Sequence, residues 1–215
     1  MNSTAVIVFA KAPQPGAVKT RLIPALGADG AAALHAKLAK HALDTVRAAS
    51  LKPVELHCAP DMDDPFFRYC QGHYGVALEP QIAGDLGARM HAAFATALAA
   101  HARVLVIGTD CPALTARHLR QAEKALREGH DAVFAPCEDG GYALIGLTRS
   151  DPKLFDGIAW SSASVMTETR KRLKALGWRW HELETLWDVD RPEDYQRLVA
   201  SRLLDAQRGV MMNAE

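Results

Sequence analysis

Short apolar runs alternate along this chain with longer stretches of helical spacing, and that alternation restricts the fold more than any other feature. The β-type runs are Ala5–Ala10, Val54–Cys58, Val76–Glu79, Val104–Ile107, Ala132–Ala135, Ala143–Leu147 and Trp178–Leu183. Between them, helical patterns cover Asp29–Ala49, Leu86–Ala100, Thr115–Glu128, Ser162–Leu176 and Pro192–Ala206. The last of these puts Tyr195, Leu198, Val199, Arg202, Leu203 and Ala206 on one stripe. Alternation of this kind predicts an α/β protein, a three-layer α/β/α sandwich around a mostly parallel sheet. The Asp139-Gly140-Gly141 turn, with a run on either side, predicts that some late strands are antiparallel.

A length of 215 residues predicts one domain over 1–206, with 207–215 as a frayed tail. Basic and acidic side chains balance at 25 each, so no global field directs the chain to nucleic acid or to a membrane surface. No apolar run reaches the roughly 18 residues of a membrane span. The apolar stretch at Ala5–Ala10 lacks a preceding basic region and reads as a first strand, not a signal peptide. Cys58, Cys70, Cys111 and Cys137 are scattered without a C-x-x-C pair. That pattern predicts a reduced, cytoplasmic setting and argues against a zinc site or a disulfide framework. The nine histidines show no metal-ligand spacing and read as surface or core residues.

The run Val104–Ile107 ends in Gly108-Thr109-Asp110-Cys111-Pro112. Gly108 permits a sharp turn and Pro112 stops the strand from resuming. Asp110 is thereby delivered to the carboxyl edge of the sheet, where ligands of open α/β folds bind. Such an acid either holds a divalent cation against phosphate or caps the following helix. Cys111 has no paired base in the sequence, which argues against a thiol nucleophile.

The first run leads into Lys11-Ala12-Pro13-Gln14-Pro15-Gly16-Ala17-Val18-Lys19-Thr20-Arg21-Leu22, while the first acid of the chain is Asp29. Lys11, Lys19 and Arg21 make this loop locally basic, and Gly16 allows close backbone approach. The loop is either a solvated surface connection or a cradle for an anion beside the sheet. It is not a Walker loop, and no G-x-G-x-x-G follows any strand, which excludes the usual dinucleotide fold.

Other candidates carry two readings each. Asp188 and Asp190 share side-chain parity and either join on one cation or, for Asp190, cap the last helix. Asp139-Gly140-Gly141 is a tight turn, or bare backbone for an acceptor whose hydroxyl Asp139 binds. Gly84-Asp85-Leu86-Gly87 opens a helix whose N–H groups could meet a nucleotide, with Asp85 equally suited to N-cap it. Trp160 is a candidate lid residue, and Trp178 and Trp180 read as packing.

Taken in order, several segments resemble the GT-A (nucleotide-diphospho-sugar transferase) superfamily. They are Lys11-Ala12-Pro13 with Gly16-x-x-Lys19-Thr20-Arg21-Leu22; Gln81 with Gly84-Asp85-Leu86-Gly87-x-Arg89-Met90; Gly108–Pro112; Asp139-Gly140-Gly141-Tyr142 with Leu144-Ile145-Gly146-Leu147; Trp160; and Asp188-Val189-Asp190 with Pro192-Glu193-Asp194. Within the superfamily the chain looks most like the radical-SAM/selenodomain-associated transferases, which are similar to phospholactate and molybdopterin guanylyltransferases. The resemblance implies nucleotide over the N-terminal half of the sheet, near Lys11, Gly16, Lys19, Arg21, Gln81 and Asp85. It implies an acceptor over the C-terminal half, near Asp139, Gly140, Gly141 and Trp160. It also implies Mg²⁺ or Mn²⁺ on Asp110 with Asp190 or Asp188. Arg191, where relatives often carry Thr, and Ser161-Ser162, where Gly-Thr is common, depart from the pattern.

The expected activity is metal-dependent nucleotidyl transfer from a nucleoside triphosphate to a phosphorylated small-molecule acceptor. Pyrophosphate would leave, and Lys19, Arg21 and Asp110 would be the catalytic groups. The alternative is glycosyl transfer from a nucleotide-diphospho-sugar, with Asp139 or Glu138 as base. A nucleotide-binding module without catalysis is the third reading. The sequence leaves the oligomeric state open.

Overall fold

Alternate residues along each central strand face opposite sides of the sheet, and both sides are apolar. On the strand Thr4–Lys11 (β1), Val6, Val8 and Ala10 enter one core cluster while Ala5 and Ile7 enter another. The strand Arg103–Ile107 (β4) divides in the same way, with Leu105 and Ile107 opposite Val104 and Val106. Burial on both faces requires helices on both faces, which makes three layers.

The computed structural model describes residues 3–204. In chain order the remaining elements are α1 (Ile23–Ala49), β2 (Val54–Ala59), α2 (Pro65–Tyr74), β3 (Ala77–Pro80), α3 (Leu86–Leu98), α4 (Ala116–Arg127), β5 (Ala132–Pro136), β6 (Tyr142–Leu147), α5 (Val165–Ala175), β7 (Trp180–Glu182) and α6 (Pro192–Ser201). The seven-stranded sheet runs β3-β2-β1-β4-β6-β5-β7. Every pairing is parallel except those of β6, which is antiparallel to β4 and to β5. The expected α/β/α sandwich and the late antiparallel strand are both present. Gly146, in β6, is needed for packing: a Cβ there would lie 2.5 Å from Leu105 and 2.6 Å from Val133.

One face of the sheet packs against Ala42 and Leu43 of α1, Phe67 and Cys70 of α2, and Leu119 and Ala122 of α4. The other packs against Met90 and Phe94 of α3 and Met166 and Leu173 of α5. A third cluster joins Leu34 and Leu38 of α1 to Leu198 of α6, with Leu22 and Val189 from the adjoining loops. Each large buried apolar side chain contributes about 1.5–3 kcal/mol.

Some elements differ from expectation. Helix α2 was not foreseen, because only Phe67 and Cys70 of its residues are buried and its apolar stripe is too thin to read. Helix α1 begins at Ile23 and not Asp29, because Pro24 suits its first turn and the helix tolerates a non-helical Gly27. The late strand is confined to Trp180–Glu182, with Trp178 packed in the core before it. Helix α6 ends at Ser201, where Arg202 turns left-handed, and Val199 on its expected stripe is 58% exposed. Residues 205–206 of that expected helix and the expected tail 207–215 lie outside the described residues.

Candidate active site

The chain leaves β4 through Gly108 and places Asp110 at the carboxyl end of the sheet, its side chain half exposed. Asp110 does not cap the next helix: Thr115 is the N-cap of α4, and His118 closes the box with its Nδ1 3.0 Å from the Thr115 N–H. The Asp110 carboxylate instead meets Lys19 Nζ at 2.6 Å. Lys19 sits in the left-handed region (φ 49°) and its side chain is only 3% exposed. Its ammonium also donates to the Val189 carbonyl at 2.6 Å, and the Val189 N–H donates to the Asp110 carbonyl at 2.9 Å. One lysine thus joins the basic loop, the turn after β4 and the segment before α6.

That last segment continues past β7 along β5. The Leu183 N–H donates to the Phe134 carbonyl, the Leu186 N–H to the Pro136 carbonyl, and the Glu138 N–H to the Leu186 carbonyl. Val189 is fully buried, while Asp188 and Asp190 on either side line one cleft. Their partners differ. Asp190 pairs with the guanidinium of Arg21. The expected Asp190 cap is not made: Arg191 is the N-cap of α6, and Asp194 accepts from the backbone N–H of Asp190 and of Arg191.

Asp188 turns toward the hairpin between β5 and β6. Ligand atoms of Cys137, Asp139 and Asp188 lie within 4.8 Å of one another. Burial, then the negative charges of Asp139 and Asp110, push the Asp188 carboxyl up to about 6 from 3.8. Among the described residues, neither Asp139 nor Asp188 forms an ion pair with a cationic side chain, unlike Asp110 and Asp190. This pair of carboxylates is therefore where a divalent cation relieves the most repulsion. The metal set expected from the sequence was Asp110, Asp188 and Asp190. The fold gathers Asp188 with Asp139 and Cys137, and assigns Asp110 and Asp190 each to a cation of the loop.

The cleft has a volume of about 340 Å³, within the range of small-ligand pockets. Its walls include Arg21, Asp139, Ser161, Ser162, Asp188 and Asp190. In the hairpin, Asp139 Oδ1 accepts from the Gly141 N–H at 2.9 Å, which makes the turn itself. Gly140 has φ 90°, and a Cβ there would collide with the Ala163 carbonyl. Bare backbone at Gly140 thus seats the Ser161–Ala163 wall. Trp160 packs over Gly87 at the start of α3, where a Cβ would stand 2.7 Å from the indole. Glu138 is held by Arg197, whose Nη1 and Nη2 donate at 2.7 and 3.1 Å. That guanidinium holds the Glu138 carboxyl below the usual range, so it is poorly suited to serve as a base.

Apart from Lys19 and Arg21, the residues expected at a nucleotide lie at the other half of the same edge. Lys11 ends β1 and is exposed, and Gly16 turns the loop at φ 82°. Gln81 Nε2 donates to the carbonyls of Ala10 (3.2 Å) and His57 (2.8 Å), tying together the ends of β1 and β2. Asp85 N-caps α3 through the Ala88 N–H at 2.8 Å. Sequence reasoning passed over His35. It is buried on α1, with Nε2 bonded to the Lys11 carbonyl at 3.0 Å and Nδ1 3.9 Å from Asp110. Its place on the stripe with Ala31, Leu34 and Leu38 was the available signal. Burial lowers its imidazole pKa against the pull of Asp110. A larger groove, about 490 Å³, lies between α1 and α6; among the described residues it is largely apolar, with Asp44 its single acid.

Among the described residues no helix is long and apolar enough to cross a membrane. None of the curated proteins compared with the chain matches it. Among solved structures, a protein named as a nucleotide-diphospho-sugar transferase from Desulfovibrio desulfuricans G20 is 30% identical, with a TM-score of 0.80 over 89% of this chain and 84% of that one. The CMP:2-keto-3-deoxy-manno-octonic acid synthetase in complex with CTP is 10% identical, with a TM-score of 0.60 over 96% and 100%. Rv0371c of Mycobacterium tuberculosis H37Rv in complex with manganese is 17% identical, with a TM-score of 0.58 over 94% and 100%. The fold is thus that of the GT-A superfamily. The narrower placement among radical-SAM/selenodomain-associated transferases is overturned, because the structural relatives are nucleotide-diphospho-sugar and cytidylyl enzymes and the matching family model is a different one. That model matches residues 42–162, more than half of the 215-residue chain, which therefore belongs to the family described as uncharacterized protein conserved in bacteria (DUF2064).

Proposed function

We propose that this chain is a metal-dependent transferase that moves a glycosyl group from a nucleotide-diphospho-sugar to a small hydroxyl acceptor. The observation that carries the reading is the uncompensated carboxylate pair, Asp139 and Asp188, at the carboxyl edge of a GT-A sheet. A divalent cation suits these donors, with Asp110 alongside, and when bound it would neutralise the diphosphate of the donor. The similar proteins that handle nucleotide-diphospho-sugars, or that hold manganese, support the same choice.

Each side chain then has a task that its position allows. Lys19 fixes Asp110 and the Val189 backbone, so its charge is spent on architecture. Arg21 stands 59% exposed at the cleft and can move from Asp190 to a phosphate oxygen. Ser161 offers a hydroxyl to an acceptor, and Asp139 is the exposed carboxylate of the hairpin. Nucleotidyl transfer is the second reading. The Gly16-x-x-Lys19-Thr20-Arg21-Leu22 loop favours it, and the sequence alone ranked it first. The burial of Lys19 against Asp110 lowers that rank, because a departing pyrophosphate needs cations that are free to meet it.

The test is incubation of the protein with Mn²⁺, small hydroxyl and phosphorylated acceptors, and either nucleotide-diphospho-sugars or nucleoside triphosphates. Acceptor-dependent release of nucleoside diphosphate supports glycosyl transfer. Acceptor-dependent pyrophosphate release would replace it with nucleotidyl transfer, and neither product from any donor would end the transferase reading.

A further inference from the structure

Two buried thiols lie near this carboxylate pair, and glycosyl transfer has no use for either. Cys111 follows Asp110 out of β4 and is 9% exposed. Cys137 follows β5 and is 8% exposed. Cys111 is a near neighbour of Cys137 in the fold. Cys137 Sγ is also one of the three ligand atoms that lie within 4.8 Å of one another, the others being carboxylate oxygens of Asp139 and Asp188.

A hard ion such as Mg²⁺ takes oxygen ligands and leaves sulfur alone. Zinc-class ions take sulfur, nitrogen and oxygen together, in tetrahedral sites. Ligands about 2.0–2.3 Å from a tetrahedral centre are about 3.3–3.8 Å apart. Side chains already within 4.8 Å of one another reach that spacing by small rotations. One thiol and two carboxylates leave the fourth position open, the form that catalytic zinc sites take. The absence of C-x-x-C or histidine spacing argued against zinc, but these ligands come from two segments that only the fold brings together.

We propose that Cys137, Asp139 and Asp188 form a thiolate-bearing site that selects zinc-class divalent cations over magnesium. This inference rests on the reading that the cleft holds a divalent cation, and it names which ions compete for that place. As the ion binds, the Cys137 thiol gives its proton to solvent and the sulfur lone pair forms the metal–sulfur bond.

The full chain, reduced with a phosphine and stripped with a chelator, is titrated with Co²⁺ alone as the spectroscopic stand-in for zinc. A saturable near-ultraviolet sulfur-to-cobalt charge-transfer band is expected, with Zn²⁺ bleaching it and excess Mg²⁺ leaving it in place. Cys137→Ser should abolish the band and weaken Zn²⁺ binding about tenfold or more in competition with a chromophoric chelator. Asp139→Asn, in an exposed turn, should weaken it comparably, and far-UV circular dichroism checks both folds. No band in the wild type, a band that survives Cys137→Ser, or bleaching by equimolar Mg²⁺ would overturn the inference. Mn²⁺ binding by electron paramagnetic resonance separates the two readings. Manganese bound without a cobalt–thiolate band keeps the cation site and refutes the thiolate, whereas the band with no turnover of any nucleotide donor keeps the thiolate and sinks the transferase.

Discussion

Asp188 carries the most informative perturbation. Its carboxyl titrates near 6 against an ordinary 3.8, because of burial first and the Asp139 and Asp110 charges after it. Between those two values the folded state binds more protons than the unfolded state, so stability falls as pH rises through that window. The gap corresponds to about 3 kcal/mol at most, fully expressed above pH ~6. The cleft is open to solvent, which reduces the cost to about 1–2 kcal/mol. Asp188→Asn removes the ionisation and keeps the shape. In metal-free buffer the variant should melt about 3–6 °C above wild type at pH ~7.5 and level with it near pH ~4. Mn²⁺ should raise the wild-type melting temperature by mass action and the variant's much less. Differential scanning calorimetry with chelator, then with Mn²⁺, over that pH range decides it. A variant no more stable than wild type at neutral pH, or equally stabilised in acid, would refute the account of a carboxylate pair without a counter-cation.

The two loop cations should separate in their effects. Lys19→Met leaves the Val189 carbonyl and the Asp110 carboxylate without their buried donor and should cost about 2–3 kcal/mol by chemical denaturation. Arg21→Ala removes an exposed pair, should change stability by less than about 1 kcal/mol, and should lower donor turnover by tenfold or more. An Arg21 variant with full turnover would remove that residue from the site. Gly140→Ala meets both a left-handed backbone and the Ala163 carbonyl, so a loss of about 2 kcal/mol or more is expected, with weakened acceptor binding. An unchanged melting curve would show that the Ser161–Ala163 wall is not seated there.

The alternation of apolar runs with helical spacing was sufficient to place the sheet, five of its six α-helices and the antiparallel hairpin. Such periodicity is local, and two-sided burial leaves few other arrangements. The carboxyl-edge position of Asp110 was legible for the same reason: a strand that ends in Gly108 and Pro112 has one exit. Asp188 and Asp190, which share parity, both line the cleft. Helix α2 was not legible, because Phe67 and Cys70 alone carry its buried face.

Which charge meets which was settled only in three dimensions. Lys19 and Asp110 are separated in sequence by most of the N-terminal half of the chain, and no pattern said that the lysine would be buried against the acid. Nor did spacing reveal that Asp188 would turn from Asp190 toward Asp139 and Cys137, or that His35 would face Asp110 from α1. The sequence alone determined most of the secondary elements and which strand ends carry acids, since both follow from neighbours along the chain. The tertiary structure decided the ion pairs, the unpaired carboxylates and the thiol beside them. Those depend on distances of a few ångströms between segments joined only by packing.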